Sequence, residues 1–447
     1  MSFVSCLNPV PLPNPRYDEA HSFTEHIAMS GCNDYKMTRR QLMANSAAGA
    51  TLLGMPINQL IAGSGQDHQA KCENVILFWN GGGMSHLDTW DPKPGRPTQG
   101  EFDPIATSAS GIQISEIFPT VAKQMHNAAL IRSIAGTQGA HARASYNMQT
   151  SFLPGPVQHP GIGSVVAHEK EKVGDLPSFI TINGQARTAS YLGQSCEAYF
   201  IANPGDPDPY LKFPAGVTLD QGNKRLERLE KFNSRFNRDT TDPRLSSTST
   251  SIDDAVRLMR SPALKAFELD KIPAKEIERY GDTAFGRGAL LSKRLVEQGV
   301  RFVQINRGGF DTHGDNFTRM REHGEVMDPA LGSLLQDLSE SGMLEKTMVI
   351  MMSEFGRTPR INDNAGRDHW PKCFSCFMAG GGIKGGTVIG SSDEDGGMPK
   401  DNPVNVPDIH ATICHALGID PYKEVYTRQG RPMKLVDDGS AIEGLLA

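Results

Sequence analysis

The sequence predicts an α/β fold with a mostly parallel central sheet and helices on both of its faces. The first observation is a set of four continuous apolar runs that have the length of buried strands, at residues 75–79, 128–133, 301–306 and 347–353. The second is that the last two runs each follow an amphipathic helical pattern, AFGRGALLSKRLVEQGV and then PALGSLLQDLSESGMLE. Alternating helices and strands are typical of a parallel sheet covered by helices.

A pair of arginines, Arg39 and Arg40, precedes the apolar, small-residue run NSAAGATLLGMPINQLIAG. This pattern matches a twin-arginine export signal, and the competing interpretation is an ordinary amphipathic helix. Gly54, Pro56 and Asn58 make the run a poor membrane span, so we predict no stable transmembrane segment. We therefore expect a periplasmic or secreted protein.

The remaining patterns complete the predicted organisation. PDIHATICHALGI predicts a late amphipathic helix, and KCFSCFMAGGG predicts a strand that ends in a glycine loop. Residues 220–275 are charged and helical in pattern and contain the Ser/Thr tract 246–251, which predicts a helical insertion with a linker. We predict a Pro-rich N-terminal segment plus signal over residues 1–65 and one α/β domain over residues 66–447.

Composition narrows the class of function. The 447 residues carry a net charge of -6 with scattered Lys and Arg, which argues against a nucleic-acid partner. The seven cysteines are odd in number and widely spaced, unlike a disulfide framework. Cys373 and Cys376 form a CxxC that suits a redox or metal pair. However, residues three apart on a strand point to opposite faces, which favours two packed thiols.

Polar clusters follow the four predicted strands, where open α/β sheets bind ligands. After the first strand, GGGMSHLDTWDPKPG contains Asp88, which is either a site residue or a solvated turn residue. After the second, HARAS brings His141, Arg143 and Ser145 together. A serine at a helix start suits an activated nucleophile beside a helix N-terminus, or a plain helix cap.

The third and fourth strand ends carry the most specific signals. Asp311 and His313 in GGFDTHGDNF are two residues apart, so an extended segment aims both at one side, as a metal such as zinc requires. The alternative is a helix N-cap by Asp311. In SEFGRTPRINDNAGRDHW, Glu354 suits a ligand or base and Arg357 an oxyanion partner, unless these two merely pair. His369 follows in the same polar loop, and four such clusters together favour a functional site.

Six ordered motifs resemble those of a family called domain of unknown function 1501, which is related to the alkaline phosphatase superfamily and often labelled sulfatase-like. They are MTRRQLM, FWNGGGMSHLDTWDPKP, HARASYNMQTSFLPG, GGFDTHGDNF, SEFGRTPRINDNAGRDHWP and PDIHATICHALGID. The resemblance runs from about Arg39 to the C-terminus. It implies an alkaline phosphatase/sulfatase-like α/β fold.

The resemblance also implies roles for individual residues. Members of the superfamily bind one or two metals with strand-end carboxylates and histidines, and a Ser, Thr or modified Cys attacks phosphorus or sulfur. Gly155 resembles a glycine that closes the helix ten residues after the nucleophile, which puts Ser145 at the nucleophile position. Asp311 and His313 resemble the metal-binding pair, and His369 resembles a late histidine of the site.

The sequence departs from the superfamily pattern at three places. The formylglycine motif of sulfatases is absent around Ser145. The segment 353–356 resembles the sulfatase Ser-Asp-His-Gly, but Phe355 stands where the metal-binding histidine is expected. Asn80 stands where the first strand usually ends in paired aspartates. The resemblance therefore implies at most part of the two-metal site.

Together these observations predict an exported, sulfatase-like hydrolase of sulfate or phosphate esters that uses either one divalent metal (Zn, Ca or Mg) or none. Its substrate would be a small-molecule or glycan oxyanion ester. The predicted site comprises catalytic Ser145, Arg357 and His369, substrate-binding Arg143, His141 and Asn80, and metal-binding Asp311, His313, Glu354 and Asp88. The alternative is a binding or scaffold protein that kept the fold and lost the reaction.

Overall fold

The computed structural model describes residues 71–205, 211, 216–238, 254–427 and 429–447. The predicted export signal and the Ser/Thr tract lie outside these described residues. Within them, no helix has the length and apolar character needed to cross a membrane.

A mixed sheet of nine strands forms the centre of the described domain. In chain order, the strands are β1 (Asn74–Asn80), β2 (Pro104–Ala106), β3 (Gln113–Ser115), β4 (Ala128–Ala135), β5 (Phe179–Ile182), β6 (Tyr199–Ile201), β7 (Phe302–Arg307), β8 (Thr347–Met352), β9 (Gly356–Arg357), β10 (His369–Trp370), β11 (Phe374–Ala379), β12 (Thr387–Ile389), β13 (Ser391–Ser392), β14 (Pro399–Asp401), β15 (Val404–Asn405), β16 (Glu424–Tyr426) and β17 (Pro432–Lys434). The main sheet has the order β12-β4-β11-β8-β1-β7-β5-β6, and β15 also pairs with β4.

The predicted sheet direction is confirmed. Strand β1 pairs in parallel with β7 and β8, and β5 pairs in parallel with β6 and β7. Strand β11 runs antiparallel to both of its neighbours, β4 and β8, so β4 and β8 point the same way. The carboxyl ends of β1, β4, β7 and β8 therefore meet at one edge of the sheet.

Helices cover both faces of this sheet. In chain order, they are α1 (Pro119–Ala122), α2 (His141–Thr150), α3 (Ile162–Glu169), α4 (Leu219–Arg238), α5 (Ala274–Tyr280), α6 (Ala284–Glu297), α7 (Asn316–Glu340) and α8 (Val406–Leu417). Residues 254–260 are also helical, and the described part of the predicted insertion therefore contains α4 and this short helix.

Strand β1 shows why continuous apolar runs predicted buried strands. All seven of its residues are buried. Ile76 and Phe78 pack in the hydrophobic cluster that includes residues of α6 and α7, whereas Val75 and Leu77 pack in the cluster that includes residues of α3 and α8. Both faces of β1 need apolar side chains, because alternate residues of a strand point to opposite sides.

One helix is longer than its sequence pattern indicated. We expected this helix to begin near Pro329, but α7 begins at Asn316 and carries Pro329 in its interior. A proline there removes one backbone hydrogen bond. The buried face nevertheless continues across it through Met327, Ala330 and Leu331, so apolar packing keeps the helix intact.

The five described cysteines are free and buried. Cys373 and Cys376 form no disulfide, and burial raises the pKa of each thiol to about 12. Both stay protonated at neutral pH, which agrees with packed thiols rather than a redox pair.

A buried histidine makes stability depend on pH. His410 in α8 is 1% exposed and donates from Nε2 to the Met148 carbonyl at 2.9 Å, and burial lowers its pKa to about 4. The folded-state pKa lies below the ordinary value, so this contribution is complete above pH ~6.5 and is lost as pH falls toward 4. Over that window we expect a loss of up to about 3 kcal/mol from His410, since one pKa unit corresponds to about 1.4 kcal/mol.

Urea unfolding of wild type and His410→Gln between neutral pH and pH 4 checks this expectation. The slope of the unfolding free energy against pH should be shallower in the variant, while the exposed control Ser339→Ala, which removes no titratable group, keeps the wild-type slope. Equal slopes in all three proteins would show that His410 does not titrate as its burial requires.

Candidate metal centre

Tight loops after β1 and β7 bring two strand ends together. Gly82 has φ +117, and a Cβ on it would lie 2.5 Å from the backbone nitrogen of Asp311. Its N–H donates to Glu354 Oε1 at 2.8 Å, and its carbonyl accepts from Arg357. Only glycine fits both this conformation and this close approach.

The loops that follow β4, β7 and β8, together with the β9–β10 hairpin, place three histidines around one carboxylate. His313 Nε2 and His369 Nε2 each lie 3.1 Å from Asp311 Oδ1, and His141 Nε2 lies 3.3 Å from Oδ2. The two Nε2 atoms of His313 and His369 are 3.0 Å apart. The potential ligand atoms of His141, Asp311 and His369 all lie within 4.8 Å of one another.

Each imidazole is oriented by an acceptor opposite its other nitrogen. Nδ1 of His141 donates to Glu354 Oε1 at 2.9 Å, that of His313 to Asp368 Oδ1 at 2.6 Å, and that of His369 to a backbone carbonyl at 2.8 Å. With the proton on Nδ1, a neutral imidazole presents a bare Nε2. Metal-binding histidines are commonly held by this kind of contact.

The bare nitrogens face one another and a carboxylate, and this is unfavourable unless a cation lies between them. His141 Nε2 is buried and has no hydrogen-bond partner, although Asp311 is near. Tetrahedral zinc with bonds near 2.0–2.1 Å sets neighbouring ligand atoms about 3.3 Å apart, close to the separations seen here. The residues therefore fit a divalent metal.

Asp311 is held in its charged form. Burial alone would raise its pKa, but the hydrogen bond and the positive charge of Arg357 hold the pKa well below its ordinary value. Arg357 Nη2 lies 2.6 Å from Asp311 Oδ1, and the arginine is fully buried. Asp311 therefore carries its negative charge at neutral pH, as a metal-binding carboxylate must.

Arg357 does not face a substrate. Nε donates to the Gly83 carbonyl at 2.8 Å, Nη1 donates to the Arg367 carbonyl at 3.1 Å, and Nη2 donates to Gly82 and Asp311. Arg357 therefore does not make the oxyanion contact that we predicted. The β9–β10 hairpin places its guanidinium beneath the loop after β1, with no free N–H on the exposed side. The alternative pairing of Arg357 with Glu354 is absent from the described ion pairs.

Glu354 lies behind His141 rather than among the converging Nε2 atoms. Its side chain is 2% exposed, Oε1 accepts from His141 and Gly82, and Oε2 accepts from Ser353. With its oxygens engaged in this way, the geometry favours a positioning residue for His141 over the direct ligand that we predicted.

We expect Glu354→Gln to weaken zinc binding by about 10–100-fold, because the loss of charge behind His141 lowers the basicity of its Nε2. Calorimetric titration of zinc into the chelator-treated protein measures this effect. The exposed control Glu325→Gln should bind zinc like wild type. A variant that lost all zinc binding would indicate direct ligation, and wild-type affinity would indicate no role.

Phe355 forms an apolar floor under the imidazoles. The ring is fully buried, and its centroid lies 5.1 Å from that of His141 and 4.7 Å from that of His369. A phenyl ring cannot ligate a metal, so the site has no donor at this position.

Ser145 is in the second turn of α2, not at its start as we expected. The helix begins at His141, which places Ser145 one turn further along the same face. Ser145 is half-buried, and no hydrogen bond within the described residues joins it to the three histidines or Asp311. Arg143 is exposed, and its Nε donates to Gln138 at 2.8 Å.

Two other predicted residues are buried away from the exposed side. Asn80 is 0% exposed, and its Nδ2 lies 3.4 Å from the sulfur of Met84. Asp88 and Arg367 are both 0% exposed and form an ion pair at 2.9 Å, and Asn316 also donates to Asp88 at 2.9 Å. Asp88 thus links the loop after β1 to the segments that carry Arg367 and Asn316. This structural role accounts for its buried charge without a metal.

The alternative role that we considered for Asp311, a helix N-cap, is wrong. The N-cap of α7 is Asp315, and Asp311 lies four residues before it. The extended segment instead brings Asp311 and His313 together, as their spacing predicted. Asp368, which holds His313, was not among the predicted site residues, although its place beside His369 is a usable signal.

The fold and site together define an α/β protein with a candidate metal centre of histidines and aspartate at the carboxyl edge of its sheet. The chain belongs to the family described as "Protein of unknown function (DUF1501)", whose model matches residues 72–446. This confirms the resemblance seen in the motifs. A search of the curated proteins found no match.

Three solved structures illustrate the proteins whose fold this chain resembles. The lipoteichoic acid synthase LtaP from Listeria monocytogenes is 11% identical with a TM-score of 0.36, covering 78% of this chain and 73% of its own. A protein in the alkaline phosphatase superfamily from Vibrio parahaemolyticus is 11% identical with a TM-score of 0.37, covering 79% and 68%. The PsFucS1 sulfatase from Pseudoalteromonas sp. is 14% identical with a TM-score of 0.34, covering 78% and 68%. At these identities the matches concern the fold alone.

Proposed function

We propose that this protein is a metal-dependent hydrolase of sulfate or phosphate esters. The observation that carries the proposal is the convergence of three oriented imidazole Nε2 atoms on Asp311. Imidazole and carboxylate donors suit zinc better than calcium or magnesium, which prefer oxygen ligands. A zinc ion bound here would supply a Lewis acid for the ester oxygen.

The charges around the site favour a bound cation over an empty anion pocket. Asp311, Glu354 and Asp368 bring three carboxylates, and the buried Arg357 is the cation they contact or approach. An oxyanion alone would be repelled by this excess of negative charge. The same anion is attracted once a divalent cation has neutralised the carboxylates.

The surroundings leave room for an anionic substrate. The side chains of Asp311 and His313 are 46% and 49% exposed, so the candidate centre opens to solvent. Helix α2 begins at His141, and no side chain caps its N-terminus, so its first N–H groups would be available to an anion bound beside His141. Arg143 lies exposed in the same first turn. These groups would hold the oxygens of a sulfate or phosphate.

We assign Ser145 as the nucleophile, because it follows His141 by one turn on the same helix face and side chains of a helix lean toward its N-terminus. Its Oγ would lose its proton and form a bond to sulfur or phosphorus while the bond to the ester oxygen breaks, and that oxygen would take up the proton and leave as an alcohol. Water would then release sulfate or phosphate and restore the serine.

A panel of aryl phosphates and aryl sulfates, assayed with chelator-treated protein before and after addition of zinc, tests the proposal. We expect turnover only with zinc, and a fall of roughly 1000-fold or more in Ser145→Ala. Ser339→Ala, an exposed serine on α7, is the matched control. Turnover that survives Ser145→Ala would assign the attack to water, and a zinc-loaded protein inert to the whole panel would overturn the hydrolase.

A binding or scaffold protein is the second candidate, and it is favoured by Phe355 and by Ser145, which no described hydrogen bond joins to the three histidines. It would bind zinc and retain an anion at the site without turnover. Calorimetric titration of sulfate and phosphate into the zinc-loaded protein, beside the turnover assay, separates the two candidates.

We also propose export through the twin-arginine route, on the strength of Arg39 and Arg40 before the apolar run. Fractionation of cells expressing wild type and the double variant Arg39→Lys, Arg40→Lys tests it. Wild type should be outside the cytoplasm and the variant inside, and an equal distribution would contradict export by this route.

A further inference from the structure

Helix α4 is unusual because it makes few contacts with the other residues that the structure describes. Of its described side chains, from Asp220 to Arg235, nearly all are exposed and only Gly222 is buried. The helix start is held by reciprocal bonds between Thr218 and Gln221, at 3.1 and 3.2 Å. This capping box stabilises the start of the helix through local contacts. The helix therefore depends less on packing of its exposed face against the domain.

One stripe of α4 is basic and carries an exposed aromatic ring. Arg225, Arg228, Phe232 and Arg235 follow one another at spacings of three and four residues, which places them on one side of the helix. All four are exposed, and Phe232 is 70% exposed. Leu229, at 40% exposed, borders the same stripe.

The acidic residues of α4 lie elsewhere on the helix. At about 100° per residue, Asp220, Glu227 and Glu230 turn away from the basic stripe. Among the described ion pairs of α4, Lys224 bonds Asp220 at 2.7 Å, whereas the three arginines of the stripe have no acidic partner. If α4 were simply a solvent-exposed helix stabilised by its own ion pairs, we would expect these arginines to pair with its acidic residues.

We propose that this stripe docks on the surface of an anionic lipid bilayer. The arginines would contact lipid phosphates, and Phe232 and Leu229 would enter the boundary between headgroups and acyl chains. The stripe spans about 15 Å at 1.5 Å per residue and is convex, which suits a flat surface. A second copy packed on the same stripe would oppose arginine to arginine, so charge disfavours it.

Vesicle cosedimentation of the full chain tests the proposal, with equimolar phosphatidylglycerol and phosphatidylcholine against phosphatidylcholine alone. Wild type should bind the anionic vesicles and release them as salt rises. The triple variant Arg225→Gln, Arg228→Gln, Arg235→Gln should bind roughly 100-fold more weakly, at about fivefold per arginine. Phe232→Ser should weaken binding about tenfold or more.

The matched control removes the same charge elsewhere, at the exposed Lys275, Lys384 and Lys400, each changed to Gln. It should bind like wild type, and because every variant keeps the same N-terminal segment, any contribution of that segment cancels. Far-UV circular dichroism verifies that each variant remains folded. Binding that is absent, equal on neutral vesicles, or unchanged in the triple variant would overturn the proposal, as would capture by immobilised poly-glutamate without binding to vesicles.

Discussion

Asp311→Asn is expected to weaken zinc binding by at least about 100-fold, more than the loss of an orienting contact costs. The carboxylate is the common neighbour of His141, His313 and His369, and its negative charge is fixed by Arg357. An amide keeps the shape of the side chain but brings no charge, and its NH₂ group would face bare imidazole nitrogens or the guanidinium.

Zinc content after dialysis, together with calorimetric affinity, measures the effect of Asp311→Asn. The control is Asp315→Asn, which changes an exposed carboxylate four residues along the same loop. Its backbone has φ 51, a conformation that asparagine tolerates. Wild-type zinc affinity in Asp311→Asn would remove Asp311 from the site, and an equal loss in the control would show that the loop rather than the ligand is responsible.

Asp88→Asn is expected to destabilise the fold by about 3–5 kcal/mol, because it leaves the charge of Arg367 buried without a counter-ion. Both side chains are 0% exposed, so water does not screen the pair. Arg367 also donates to the carbonyls of Thr98 and Pro359, at 2.8 and 2.6 Å, which keeps it in place when Asp88 is neutral.

Urea unfolding measures the effect of Asp88→Asn, with the exposed Asp270→Asn as its control. The double variant Asp88→Asn, Arg367→Met should recover part of the loss, since it removes the unpaired charge as well. Zinc affinity of folded Asp88→Asn should remain near that of wild type. A variant that lost zinc at unchanged stability would restore Asp88 as a metal ligand.

The sequence predicted the frame of the site well because that frame depends on local patterns. Continuous apolar runs identified β1, β4, β7 and β8, and a parallel sheet brings their carboxyl ends to one edge. The two-residue spacing of Asp311 and His313 was enough to predict that they share a side. Neither inference required knowledge of distant contacts.

The roles of individual side chains depended on contacts that the sequence does not contain. Arg357 and His369 are opposite each other in the β9–β10 hairpin, but the hairpin directs Arg357 inward and His369 toward Asp311. We predicted that His141 binds substrate, because the local sequence indicates only a helix start. The residue that orients its imidazole, Glu354, is 213 residues away in the chain and could not be inferred from that pattern. The buried partner of Asp88, Arg367, is likewise 279 residues further along the chain.

Crystals of the zinc-soaked protein, measured on both sides of the zinc absorption edge, test the central claim most directly. We predict one anomalous peak within about 2.0–2.2 Å of His141 Nε2, His369 Nε2 and a carboxylate oxygen of Asp311, the bond lengths that zinc adopts with such ligands. A peak at another site, or no peak while Nε2 of His141 remains without a partner, would contradict it.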